Sequence, residues 1–232
     1  MGNSWTVPVS HNISGGHKPI LTGNGHIMKT KSEEVFEAFL VANNIHFEKI
    51  EEVREKATYR PDYLVTVGSH QLVIELKEID EDDDFEVVKD PRYPHIKSAS
   101  RIIGDHVRRR IDGARKQIQY GAEQGIPALL LIYNNLDRVF QMFGTEDTDF
   151  IAAMYGEFTI QLNITSGDSS EIFNGKRRLL QESKNTSFSA IGRVSDLGGN
   201  TVVTLFENIF AKVKVPYEQL PPCFDIRRVE VS

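Results

Sequence analysis

The chain has 232 residues, 40% of them apolar and 26% charged, with a formal net charge of −6. This is an ordinary soluble composition, long enough to bury a core in one domain or in one domain with an elaborated end. A single cysteine, Cys223, excludes an intramolecular disulfide and a cysteine zinc cluster, and no apolar run is long enough to cross a bilayer.

Residues 1–28 carry scattered Gly, Pro, Asn and His without periodicity and read as an irregular arm. Met1-Gly-Asn-Ser-Trp-Thr6 fits the loose myristoylation pattern. Asn12, Asn163 and Asn185 stand in glycosylation sequons, which mean little without secretion. The start of the chain lacks a charged-then-apolar leader, so a cytoplasmic protein is expected. Thr30-Lys-Ser-Glu33 has capping-box spacing and predicts a helix down to Asn43-Asn44, with Val35, Phe36, Phe39 and Leu40 on one face. A short extended segment, 45–50, follows.

Pro61-Asp62 then leads into Tyr63–Val67, a turn at Gly68–Gln71, and Leu72-Val-Ile-Glu-Leu-Lys77, which together predict a β-hairpin. Side chains alternate along a strand, so Glu75 and Lys77 project together with Asp62 beside them across the ladder. Residues 79–100, charged and holding Pro91 and Pro94, read as a functional or mobile loop. A helix is predicted from about 100 to 123, with Val107, Ile111, Ala114 and Ile118 inward. Ala128–Tyr133 then has the continuous apolar character of a central strand. Beyond Asn134-Asn135 the chain turns β-rich, with strand candidates at 156–163, 187–193 and 201–206.

The net charge hides an uneven distribution. An acidic run, Asp80–Asp84, is followed by Lys97, Arg101, His106, Arg108, Arg109, Arg110, Arg115 and Lys116.

Pro61, Asp62, Glu75 and Lys77, in the order helix, strand, hairpin, helix, strand, resemble the PD-(D/E)xK nuclease superfamily. The resemblance implies an α/β fold: a restriction endonuclease-like core, a mixed central sheet flanked by helices, over residues 29–145. The arm 1–28 precedes it, and a β-rich C-terminal extension, 146–232, follows as part of the same domain or as an added layer. The implied activity is hydrolysis of phosphodiester bonds by a metal-dependent DNA endonuclease. Magnesium, or manganese in its place, would be held by Asp62, Glu75 and the Leu76 carbonyl. Two carboxylates suffice for a hard cation that keeps most of its water. Lys77, protonated beside them, would position the attacking water and stabilise charge. Nucleic acid, DNA first, is the implied partner, with no membrane role, and double-strand cutting would call for a homodimer. Two rivals are a catalytically inactive binding module or regulatory subunit of a defence or mobile-element system, and an unrelated α+β protein with a charged hairpin.

The superfamily often adds an acid from the first helix. Among Glu33, Glu34 and Glu37, Glu33 lies nearest the apolar stripe, although it also suits a cap. A polar residue on the later helix is expected too. Gln117 and Gln119 compete, and Tyr120 stands three rather than four residues after Gln117. Arg108, Arg109, Arg110, Arg115 and Lys116 form either a phosphate-gripping surface or an ordinary exposed face with ion pairs. His95 and His106 lack metal-ligand spacing. No P-loop, dinucleotide fingerprint or serine elbow occurs.

Overall fold

A computed structural model of the chain describes residues 29–50, 59–80, 86–89, 91–92, 97–136 and 140–229. The arm 1–28, with its myristoylation pattern and Asn12, lies outside the described residues, as do Glu81–Asp84 of the acidic run and His95.

In chain order the elements are α1 (Lys31–Ala42), β1 (His46–Lys49), β2 (Tyr63–Val67), β3 (His70–Ile79), β4 (Glu86–Lys89) and β5 (Lys97–Ser100). They continue with α2 (Asp105–Glu123), β6 (Ala128–Asn134), α3 (Asp147–Tyr155), β7 (Phe158–Thr159) and β8 (Phe173–Asn174). The last three are β9 (Ala190–Leu197), β10 (Asn200–Glu207) and β11 (Phe224–Arg227).

Seven strands build one mixed sheet in the order β1-β2-β3-β6-β9-β10-β11. The β1–β2–β3 run is antiparallel, β3, β6 and β9 are parallel, β10 turns back on β9, and β11 lies parallel to β10. Parallel neighbours need a crossover, and α2 supplies the one from β3 to β6. Every residue of β6 is buried, as its unbroken apolar sequence requires of a strand covered on both faces. One face packs Tyr63, Leu72, Ile74, Leu76, Leu129 and Leu131 against Phe36, Phe39 and Leu40 of α1. The other packs Val73, Ile79, Leu130 and Ile132 against Val107, Ile111 and Ile118 of α2 and Phe150 of α3.

α1 buries the predicted stripe. Its first turn is held from afar: the Ser32 N–H donates to Glu78 Oε1 of β3 at 2.5 Å, setting a carboxylate at the positive end of the helix. The helix ends where Asn44 takes a left-handed backbone, φ 54°, and the Ile45 N–H reaches back to the Leu40 carbonyl.

Three expectations need correction. Residues 79–100 are not simply a loop, because β4 and β5 pair antiparallel within them, Glu86 opposite Ser100. Residues 156–163 form only the two-residue β7, paired with β8. Between β6 and β7 stands a helix, α3, whose start is fixed by a capping box between Glu146 and Asp149, with Arg101 bound to both carboxylates.

The sequence left the place of residues 146–232 open. β9, β10 and β11 lie in the same sheet as β3 and β6, and Lys31–Ser232 forms one compact unit. The protein is thus α/β with a seven-stranded mixed sheet. Among the described residues no helix is long and apolar enough to cross a membrane.

Candidate metal centre

Tyr63, Ile74 and Leu76 point to the α1 face, so the alternation of the strands sends Asp62, Glu75 and Lys77 to the α2 face. The Asp62 N–H donates to the Ile74 carbonyl at 3.0 Å, just before β2 begins, while β3 runs on to Ile79 against β6. The Leu76 N–H therefore finds a side chain, Asp62 Oδ2, at 2.7 Å. The carbonyl of a strand residue faces the same neighbour as its N–H, so that of Leu76 opens on the same gap. Lys77 Nζ stands 2.6 Å from Glu75 Oε1, while Glu75 Oε2 is buried without a hydrogen-bond partner.

Burial raises the Asp62 carboxyl, against the opposing pull of the Leu76 N–H and Lys77. Burial, and next the Asp62 charge, push Glu75 up to about 8, with Lys77 pulling the other way. Two adjacent carboxyls in a dry place disfavour double ionisation, so the pair retains a proton near neutral pH.

The three acids of α1 part company. Glu33 pairs with Lys49 Nζ at 2.6 Å, and its charge is near enough to raise Asp62. Glu34 pairs with Lys31 on the outer surface. Glu37 accepts from the Tyr63 hydroxyl at 3.1 Å. Glu33 is thus at the border of the site, held by a lysine that the sequence did not single out.

α2 runs antiparallel to β3. At one end Gly121 lies on Val73, where a Cβ would come within 2.0 Å of Val73 Cγ2. At the other, Arg110 Nε donates to the Glu78 carbonyl at 2.7 Å. These two anchors span about 17 Å along both the strand and the helix, which sets Gln117 level with Glu75. Gln117 Oε1 is buried without a partner, whereas Gln119 is exposed.

The basic residues do not share one face. Arg108 is a correction: its guanidinium is buried and donates to the carbonyls of Ile103, Ala152 and Arg177 and to Asp105, so it clamps the fold and cannot grip a phosphate. Arg115 pairs with Asp112 at 2.5 Å, and Arg109 is exposed. Lys116 Nζ lies 4.1 Å from the ring centre of Tyr59, and Arg60 lies over Tyr120 at 5.9 Å. Tyr59 and Arg60, missed in the sequence, directly precede Pro61-Asp62 and tie α2 to the site. Their position in the chain was the available signal. His106 is buried on α2.

The donors fit a hard divalent cation. Asp62 and Glu75 lie side by side next to a strand carbonyl, and Gln117 Oε1 is a further buried oxygen. Among the described residues no group of three or more His, Cys, Asp and Glu side chains is arranged around one point. In a magnesium site built on these groups, water would supply most of the shell. No protein-family model, curated protein or solved structure matches the chain.

Proposed function

We propose that the protein is a metal-dependent nuclease that hydrolyses phosphodiester bonds, with DNA as the first substrate to test. The supporting observation is the convergence of Asp62, Glu75 and Lys77 at the open end of the β2–β3 ladder, with one Glu75 oxygen buried and unpartnered. In this proposal Asp62, Glu75 and the Leu76 carbonyl hold magnesium or manganese, and Gln117 borders the site. Such a cation, when bound, neutralises charge on the phosphate and acidifies a water. A cation there would favour the ionised form of Glu75, whose carboxylate keeps Lys77 beside the site. Lys77, about one-third exposed, then holds the attacking water and offsets negative charge as it develops on the phosphate. Lys116 and Arg109, both exposed on α2, would be the first cations to test for contact with the phosphate backbone.

The test is a cleavage panel of plasmid, linear duplex, single-stranded DNA and RNA with magnesium or manganese. Cleavage is expected that stops with chelator and in Asp62→Ala and Lys77→Ala proteins. Intact substrates under all these conditions would overturn the proposal. Nucleic-acid binding without any cleavage would instead favour the inactive binding module.

A further inference from the structure

Between Gly156 and Gly175 the chain forms a hairpin whose apolar side chains are turned outward. Phe158, Ile160, Leu162 and Ile164 follow one another at every second position. Ile172 stands on the returning arm. All five are between 49% and 93% exposed, Ile164 the most. Side chains two apart on an extended arm share a face. Phe158, Ile160 and Leu162 therefore share a face, Ile164 stands in the turn at the tip, and among the described residues nothing covers this strip, while Thr159, Gln161 and Glu171 alternate with it.

The hairpin is firmly rooted. β7 and β8 pair at its base, and Ser170 N–H to Gln161 O and Asn163 N–H to Asp168 O, both 2.8 Å, carry the pairing to the tip. A Cβ on Gly156 would lie 2.6 Å from the Gly175 carbonyl oxygen, so the two arms leave the body in close contact. Arg177, just past the hairpin, binds Asp105 at 2.6 Å and Glu157 at 3.1 Å, and the buried Arg108 holds the Arg177 carbonyl. The apolar strip is therefore carried by a fixed element.

Charge narrows the occupant. From Glu157 to Gly175 there are three acidic residues, Glu157, Asp168 and Glu171, and no Lys or Arg. Nucleic acid and anionic lipid would be repelled. Area then points to a second copy. Five side chains at about half exposure or more offer roughly 500 Å² of apolar surface, near the top of what monomers display. Laid face to face, two such strips remove about 1,000 Å², the lower bound for a specific interface. We propose that the 156–175 hairpin is the dimerisation surface of the protein, its apolar face packed on the same face of a second copy about a two-fold axis.

Sedimentation velocity and light scattering on the full chain, from about 1 to 100 µM, test this. Wild type is expected to show a concentration-dependent dimer. Ile160→Asp and Ile164→Asp are expected to be monomeric and to melt like wild type at concentrations where wild type is itself monomeric, since both side chains are already in solvent. Gln161→Lys, on the opposite face, is expected to remain dimeric. A wild type monomeric at every concentration would overturn the proposal, and hairpin amides protected from exchange in that monomer would identify the chain's own residues as the cover. A dimer unaffected by both aspartate substitutions would overturn it equally. The measurement needs no substrate or metal, so its outcome is independent of the proposed nuclease activity.

Discussion

Glu75 is a carboxyl group whose surroundings oppose its charge, only 2% exposed, with Asp62 beside it and a single lysine in compensation. Its folded value, about 8, lies above the ordinary 4.5, so the folded chain binds more protons than the unfolded one between those two limits. Stability from this group is full below about 4.5 and is lost as pH rises through 8. At ~1.4 kcal/mol per pH unit, the change amounts to a few kcal/mol. Melting in chelator is therefore expected to fall between pH 6 and 9 for wild type and to be flatter for Glu75→Gln. A cation reverses the trend because it binds the ionised pair. Stabilisation by manganese or calcium should grow from pH 6.5 to 8.5 in wild type and vanish in Glu75→Gln, as thermal shifts would show. A wild-type melting curve independent of pH in chelator would mean that Glu75 is ionised throughout. Arg108 and Lys116 make a second contrast at this scale. Arg108→Ala strands the partners of a buried charge and should cost about 3–5 kcal/mol in denaturant unfolding. Lys116→Ala leaves stability nearly unchanged and should reduce the salt slope of nucleic-acid binding by ~1. The sequence placed these cations in one group, since it could not show which side of α2 meets α3 and the hairpin base.

α2 and β3 position the site between them, and their contact at Gly121 is so close that a side chain cannot enter. Gly121→Ala forces a methyl toward Val73 and should cost about 1–3 kcal/mol through overpacking. Because Gln117 and Glu75 lie one turn along the same contact, the shift should also weaken metal-induced stabilisation, measurable as a smaller rise in melting temperature. An unchanged metal response would show that Gln117 does not border the cation. Elements with a clean local signal were legible in the sequence: α1 from its apolar stripe, the β2–β3 hairpin from its alternation and turn, and β6 from its apolar run. α3 was not, because a helix buried on nearly all sides, Phe150 to Tyr155, shows no polar face to mark a period. β4 and β5 were hidden by the charges and prolines around them, and β11 by its four-residue length. Asp62, Glu75 and Lys77 were legible because a hairpin fixes which side chains share a face. The contacts of Lys49 with Glu33, of Glu78 with the Ser32 N–H and of Tyr59 with Lys116 were not, since only tertiary pairing makes them.

At the scale of the molecule, the sheet joins the stretches on either side of residue 145, whose relation the sequence left open. β6 is covered along Leu129–Tyr133 by β9, and the far half of the sheet brings Ile191, Val194, Val203, Leu205, Phe206 and Phe224 into the two cores. Each buried side chain of this size is worth ~1.5–3 kcal/mol, so these six alone match or exceed the 5–15 kcal/mol by which a domain is stable. A fragment 29–145, although it carries Asp62, Glu75, Lys77 and Gln117, should therefore fail to fold by itself: β6 would lose its β9 partner, and both cores would lose the side chains that the far strands and α3 supply. The full chain should unfold in one transition, coincident by far- and near-ultraviolet circular dichroism. The fragment should lack a cooperative melt and any stabilisation by manganese. A cooperative, metal-responsive fragment would instead make the first half an independent domain and reduce the C-terminal strands to an addition.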